Sequence, residues 1–480
     1  MQNSKLINVI STFSTKEIRR FDEYLNSSYF NKNELVAKLY EFCRADYPKF
    51  RPSKTDRRDA FSYVFPNETF SEQKLRYVMT DLVKLLEDYL SLTQYEKKPI
   101  RQKQNLLREL SERNLNKYFQ SSLDIAQSMR SKNTYRDAAY FYDQYALESE
   151  SYIFQVRNFQ RNNDESLQNS VENLDLFYLA TKLRSCCELM NRKNVFADDY
   201  QILFLDEILV HLKNNEYNDF PAISIYYQIL MTLVESDDES HFSLLKDLLN
   251  DNADKFSMDE ARDMYAFAQN YCIKKINGGN TSYLNELFLM YKTLIEKEII
   301  FLDNFLSPWH FKNIVYVSLR LHEVDWTESF IYEYKNKISP EYRDNAFTYN
   351  LASLHFHKKE YSKALKLLQN VDYTDNIYYH LDSKSLLLKT YFELEEVESL
   401  LSLIDAFRIF LRRNKLISDY QRSVYLNLVK FVKKALNIKL KSKSHEKIMQ
   451  LREEIEKTKK VADLKWLLTK IDEMDKLAAA

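Results

Sequence analysis

Apolar residues recur along most of this chain at spacings of three and four, the period of helices that bury one face. The clearest case follows Ser71, where Leu75, Val78, Leu82, Leu85, Leu86 and Tyr89 fall on one side of a helix that the serine can cap. Upstream, the same pattern predicts helices near 5–13, 16–25, 34–44 and 54–64, interrupted at Tyr47-Pro48 and Phe65-Pro66. Downstream it predicts 106–116, 116–131, 135–157, 166–187, 200–213 and 222–235, with further pairs over 242–300. Gly278-Gly279 falls in the turn between predicted helices 265–276 and 282–296, where a helix end needs positive φ. The chain then closes with one long helix or a helix pair over 444–477.

A longer period is superimposed on this one between residues 313 and 407. Three copies of an apolar run, a polar turn and an anchor pair are present, the anchors being Trp326 with Ser329, Tyr361 with Ala364, and Val397 with Leu400. A repeat of about 35 residues is that of a two-helix unit which must stack on its neighbours to bury its apolar face. In the middle copy, Leu351, Ala352, Phe356, Tyr361, Ala364, Leu365 and Leu368 resemble the large, small and aromatic packing positions of a tetratricopeptide repeat. The next copy keeps the spacing but has Leu400 at the small position, and the first has Ser329 there and Arg320 where an aromatic is usual.

The resemblance implies an all-α fold, a right-handed superhelix of antiparallel helix pairs, or tetratricopeptide-like α-solenoid. The expected parts are an N-terminal helical head over 1–95, divergent helical repeats over 96–305, the tetratricopeptide-like repeats over 306–407, and a basic C-terminal helical cap over 408–477. Residues 478–480 read as a cloning remnant.

Composition narrows the chemistry more than the fold. The chain holds two glycines in 480 residues. Dinucleotide fingerprints, phosphate-cradling loops and nucleophile elbows all need more, so none of them is present. The eight histidines include no His-Glu-x-x-His set, and the four cysteines have no metal-ligand spacing. No catalytic set, cofactor or metal is expected. Net charge is −1, so no global field draws the chain to nucleic acid or membrane, and no apolar run is long enough for a span. A reduced, cytoplasmic protein is the expectation.

Charge is uneven locally. Arg408, Arg412, Arg413, Lys415, Arg422, Lys430, Lys433, Lys434, Lys439, Lys441 and Lys443 crowd a stretch whose acids are Asp419 and, just upstream, Asp405. The order helix, Phe65-Pro66 turn, helix also resembles the helix-turn-helix core of winged-helix regulators. That would make the polar side of the 71–90 helix a recognition surface, but Glu72, Asp81, Glu87 and Asp88 there would repel phosphates. The expected function is a non-enzymatic scaffold that binds a partner peptide or helix through side chains such as Tyr316, Asn350 and Lys389 on exposed sides of the 313–407 helices. The alternative is a nucleic-acid-associated regulator that uses the head and the 408–443 stretch, with Arg408, Arg412, Arg413, Lys415 and Arg422 as its patch.

Overall fold

A computed structural model describes residues 1, 3–158, 165–196, 200–371, 377–441, 444–458 and 460–479. Lys443 and Ala480 therefore lie outside the described residues. Twenty-three α-helices and one two-stranded hairpin make up the regular structure of the described residues, so the chain is all-α. It divides into two units, Met1–Tyr227 and Gln228–Ala480.

The first unit opens with α1 (Lys5–Ile10), α2 (Thr15–Leu25), α3 (Glu34–Arg44), α4 (Arg57–Val64) and α5 (Glu72–Glu96). Side chains of Ser4, Ser14, Asn33, Asp56 and Ser71 cap the five helix starts, and Ser14 with Glu17 forms a capping box. The four shorter helices pack on α5, whose Leu75, Leu82 and Leu86 are fully buried against Phe21, Val36 and Leu39. After α5 come α6 (Pro99–Glu112), α7 (Asn116–Ser131), α8 (Ala138–Arg157), α9 (Ser166–Phe196) and α10 (Leu205–Asn214). α6 starts seven residues earlier than periodicity suggests, because Pro99 is tolerated in a first turn where its missing N–H has no partner to lose. No strand pair follows α5 among the described residues of this unit, so the winged-helix likeness lacks its wing.

α11 (Pro221–Val234) carries the division between the units. The second unit continues with α12 (Ser240–Asn252), α13 (Met258–Asn277) and α14 (Tyr283–Glu296). A short hairpin of β1 (Phe301–Leu302) and β2 (Phe305–Leu306) turns on Asp303 and Asn304, both at positive φ, the conformation a two-residue hairpin needs. Then come α15 (Pro308–Arg320), α16 (Val324–Tyr334), α17 (Pro340–His357), α18 (Tyr361–Leu368), α19 (Ile377–Glu393), α20 (Val397–Arg413), α21 (Asp419–Lys441), α22 (His445–Lys457) and α23 (Leu464–Ala479). From α15 onward each helix packs on the next in sequence, and the odd-numbered ones also pack in succession.

One turn recurs through both units. At the ends of α15, α17 and α19, His322, Lys359 and Glu395 adopt φ of 62°, 61° and 59°. The following amides, of Glu323, Glu360 and Glu396, donate back to the carbonyls of Ser318, His355 and Tyr391. This is the left-handed helix stop in which glycine is usual. Asn114 with Leu115 after α6, and Gly279 with Asn280 after α13, repeat the same geometry. Gly279 is the expected glycine, at φ 100°; elsewhere residues with a Cβ accept the strain. Lys359→Gly should therefore raise stability by about 0.5–1 kcal/mol, the relieved strain exceeding the extra chain entropy lost on folding. Urea denaturation checks this, and a lower midpoint would contradict it.

Candidate functional site

Three of the predicted positions define the region to inspect, and the structure treats each differently. Tyr316 on α15 is 58% exposed, as expected. Asn350 on α17 is 1% exposed, so it does not lie on an exposed side; its amide nitrogen donates to the Ala346 carbonyl at 2.7 Å within the helix. The Lys389 side chain on α19 is 13% exposed and is held by Asp463 at 2.6 Å. It is engaged inside the unit.

That engagement belongs to a set of contacts that skip a helix pair. Lys312 of α15 reaches Asp382 of α19 at 2.5 Å, Tyr379 donates to the Pro308 carbonyl at 2.7 Å, and the Trp309 and Tyr379 rings lie 5.6 Å apart. Further along, Ser385 and Lys389 both donate to Asp463 at 2.6 Å. Trp466 Nε1 and Lys470 of α23 donate to Glu393 of α19 at 2.8 and 2.9 Å, while the Phe392 and Trp466 rings meet edge to face at 5.6 Å. The hydrogen-bonded partners are 70 to 78 residues apart, about two of the 35-residue periods. Helices two pairs apart thus meet directly. α19 is the hub, with Asp382, Lys389 and Glu393 satisfied by side chains from before and after it.

Burial sharpens the electrostatics of this set. Tyr425 of α21 donates to Asp382 at 2.8 Å, and burial together with that carboxylate pushes its phenol well above the usual range. Burial alone lowers the Lys384 ammonium. For Asp463, burial works upward, but the charge and hydrogen bond of Lys389 and the hydroxyl of Ser385 outweigh it and hold the carboxyl down. Ionised groups in pairs of this kind are already satisfied.

Part of the basic stretch is paired with carboxylates that its own sequence window does not contain. Lys430 and Lys434 share Glu454, Lys433 and Arg408 face Asp405 at 3.6 and 3.9 Å, and Lys439 pairs with Glu395 at 2.8 Å. Arg422 binds Asp419 and the carbonyls of Leu411, Asn414 and Ile417, holding the α20–α21 turn. Arg412, Arg413 and Lys415 are exposed, with no carboxylate of the described residues shown within ion-pair distance. On the head, Arg57 pairs with Glu72 and Lys74 with Glu68, so its polar side is of mixed sign.

Other reactive groups are enclosed. All four cysteines are free and buried, and burial pushes the Cys43 and Cys272 thiols up to about 12, which suppresses the thiolate a nucleophile needs. The acidic turn before α12 brings Glu235 and Asp238 to His241 in that helix's first turn, but the imidazole Nδ1 already faces Gln228 at 2.9 Å and Asp238 accepts from the Ser240 amide at 2.9 Å. His355 and His357 do point to different partners, Glu360 at 2.6 Å and His322 at 3.3 Å.

Two histidines make the second unit sensitive to acid. Burial, with Arg262 nearby, depresses His310, and burial, with His322 nearby, depresses His357. Such groups stay neutral in the folded state while the unfolded chain takes up the proton. Their contribution is complete above the ordinary histidine pKa of about 6.5 and is lost as pH falls through the folded values. The melting temperature should therefore fall between pH 7.5 and 5, and His357→Gln should flatten that slope. A melting temperature that rises on acidification excludes the account.

No protein-family model, curated protein or solved structure matches the chain.

Proposed function

We propose that the chain is a non-enzymatic helical-repeat scaffold that binds a protein partner, its second unit winding its helix pairs as a tetratricopeptide-like right-handed superhelix. The recurrent left-handed turn and the partners two periods apart support the repeat reading. The observation that carries the functional one is the satisfied inner set around α19. With Asp382, Lys389 and Glu393 engaged within the unit, recognition falls to the outward side chains, where Tyr316 and Tyr332 stand 58% and 55% exposed. Photocrosslinking amino acids placed at these two positions in the native host should each capture a discrete protein species. Capture of nothing at either position would remove this reading.

A second reading, a nucleic-acid-associated regulator, keeps one specific support, the exposed trio Arg412, Arg413 and Lys415. It requires retardation of nucleic acid in a gel at low salt, lost in the Arg412→Glu, Arg413→Glu double variant, because phosphate contacts weaken steeply with salt.

A further inference from the structure

A cavity of about 340 Å³ lies at the end of the second unit where the α19–α20 turn, the last turn of α21, the first turn of α22 and the end of α23 come together. Phe392, Leu400, Leu436, Ile448 and Met474 form its buried wall, each 9% exposed or less and all members of one core cluster. Leu440 and Leu477, 57 and 69% exposed, form its rim. The cavity is therefore a mouth that opens straight onto the core. Its volume falls in the range of small-molecule sites, which are mostly apolar with a few placed polar groups. An apolar cavity of about 150 Å³ takes benzene with its six carbons, so this one has room for about a dozen. A phenylalanine side chain of a partner protein, benzene-sized, would fill less than half of it.

The charged groups that line the cavity decide what its ligand carries. They are Lys439 and Glu395, and each already answers the other: the ammonium donates to the carboxylate at 2.8 Å and lies 5.4 Å from the centre of the Phe392 ring. A carboxylate brought to this mouth would face Glu395 and an ammonium would face Lys439, a like-charge cost in either case. A neutral group that both donates and accepts suits the pair. A hydroxyl accepts one of the ammonium hydrogens that Glu395 leaves and donates to another lone pair of the carboxylate. We infer that this cavity binds an uncharged, mainly aliphatic molecule of about a dozen carbons, with a hydroxyl or amide at one end. The chain packs against Phe392, Leu400, Leu436, Ile448 and Met474, and the polar end sits on the Lys439–Glu395 pair. The inference stands apart from the scaffold reading, which crosslinking at Tyr316 and Tyr332 tests.

The test titrates the whole chain with decanol, decanoate and decylammonium, each below the concentration at which it aggregates, while the methionine methyl groups are followed by NMR. Decanol should raise the melting temperature, because a ligand of the folded state alone stabilises it. It should bind at least tenfold tighter than either ion. It should shift the Met474 methyl and leave those of Met264 and Met290, buried on α13 and α14, in place. Lys439 and Glu395 side chains are 30 and 69% exposed, so single substitutions there should fold normally. Lys439→Gln leaves the carboxylate alone and should turn the preference to decylammonium, whereas Glu395→Gln leaves the ammonium alone and should turn it to decanoate. Equal binding of the three molecules with Met474 unmoved would be adsorption on exposed leucines, and overturns the inference. So does an order of preference that neither substitution changes, since the mouth pair would then select nothing.

Discussion

Truncating Phe407 to alanine should cost the second unit about 3–5 kcal/mol, the range for deleting a buried aromatic ring. Phe407 sits on α20 with no exposed surface, in a cluster with Leu400, Ile404, Leu428, Val432 and Ile448 drawn from α20, α21 and α22. The helices around it are held by neighbours in sequence, so the void cannot be closed by moving one side chain. Hydrogen exchange resolved by peptide should show lost protection across α19 to α22, while α1 to α5 keep theirs. Unchanged protection over α19 to α22 would mean that this cluster is not the core of the unit.

The second large effect is expected at Asp463. Asp463→Ala leaves the Lys389 ammonium, 13% exposed, without its carboxylate. Stranding a charge in that setting should cost about 2–3 kcal/mol, somewhat below the fully buried case because Asp463 retains some solvent. The double variant Lys389→Met, Asp463→Leu removes both charges and should recover most of the loss. A double variant as unstable as the single one would show that the pair is not acting as a unit. The pH dependence has a fixed sign. The carboxyl is held below its ordinary value, so its contribution is complete above an aspartate pKa of about 3.9 and is lost as pH falls through the folded value.

Helix existence was readable from the sequence because the apolar period is local. Glu34–Arg44 and Asn116–Ser131 begin and end where the pattern places them, and the Ser71-capped helix begins at its cap but runs on from residue 90 to Glu96. The helix ends that the pattern misplaced follow from chemistry weaker than the apolar period. α9 runs on past Cys187 to Phe196, and the 444–477 segment resolves into a pair, one helix ending at Lys457 and the next starting at Leu464. The left-handed stops at His322, Lys359 and Glu395 gave no signal, since none is glycine and positive φ is rare enough in other residues to be passed over. The exposure of Asn350 and Lys389 was not legible either. Polar residues on a repeat helix read as outward, and only the tertiary structure shows that a partner two periods away draws Lys389 inward. The charge of 408–443 misled for a related reason, because Glu395 and Glu454, which neutralise part of it, lie outside that window.

The contacts that skip a helix pair also bear on how such a chain can change length. Stacked repeats that touch only their nearest neighbours tolerate loss of a terminal pair, since one new end is much like another. Here Asp463 and Lys470 answer side chains on α19, well upstream. Deleting everything after α21 would strand Lys389 and Glu393 in the interior of what remained. The C-terminal helices are therefore a keystone and not a detachable cover, and insertions or deletions of a single pair in this unit would be tolerated only where the far partner is replaced as well.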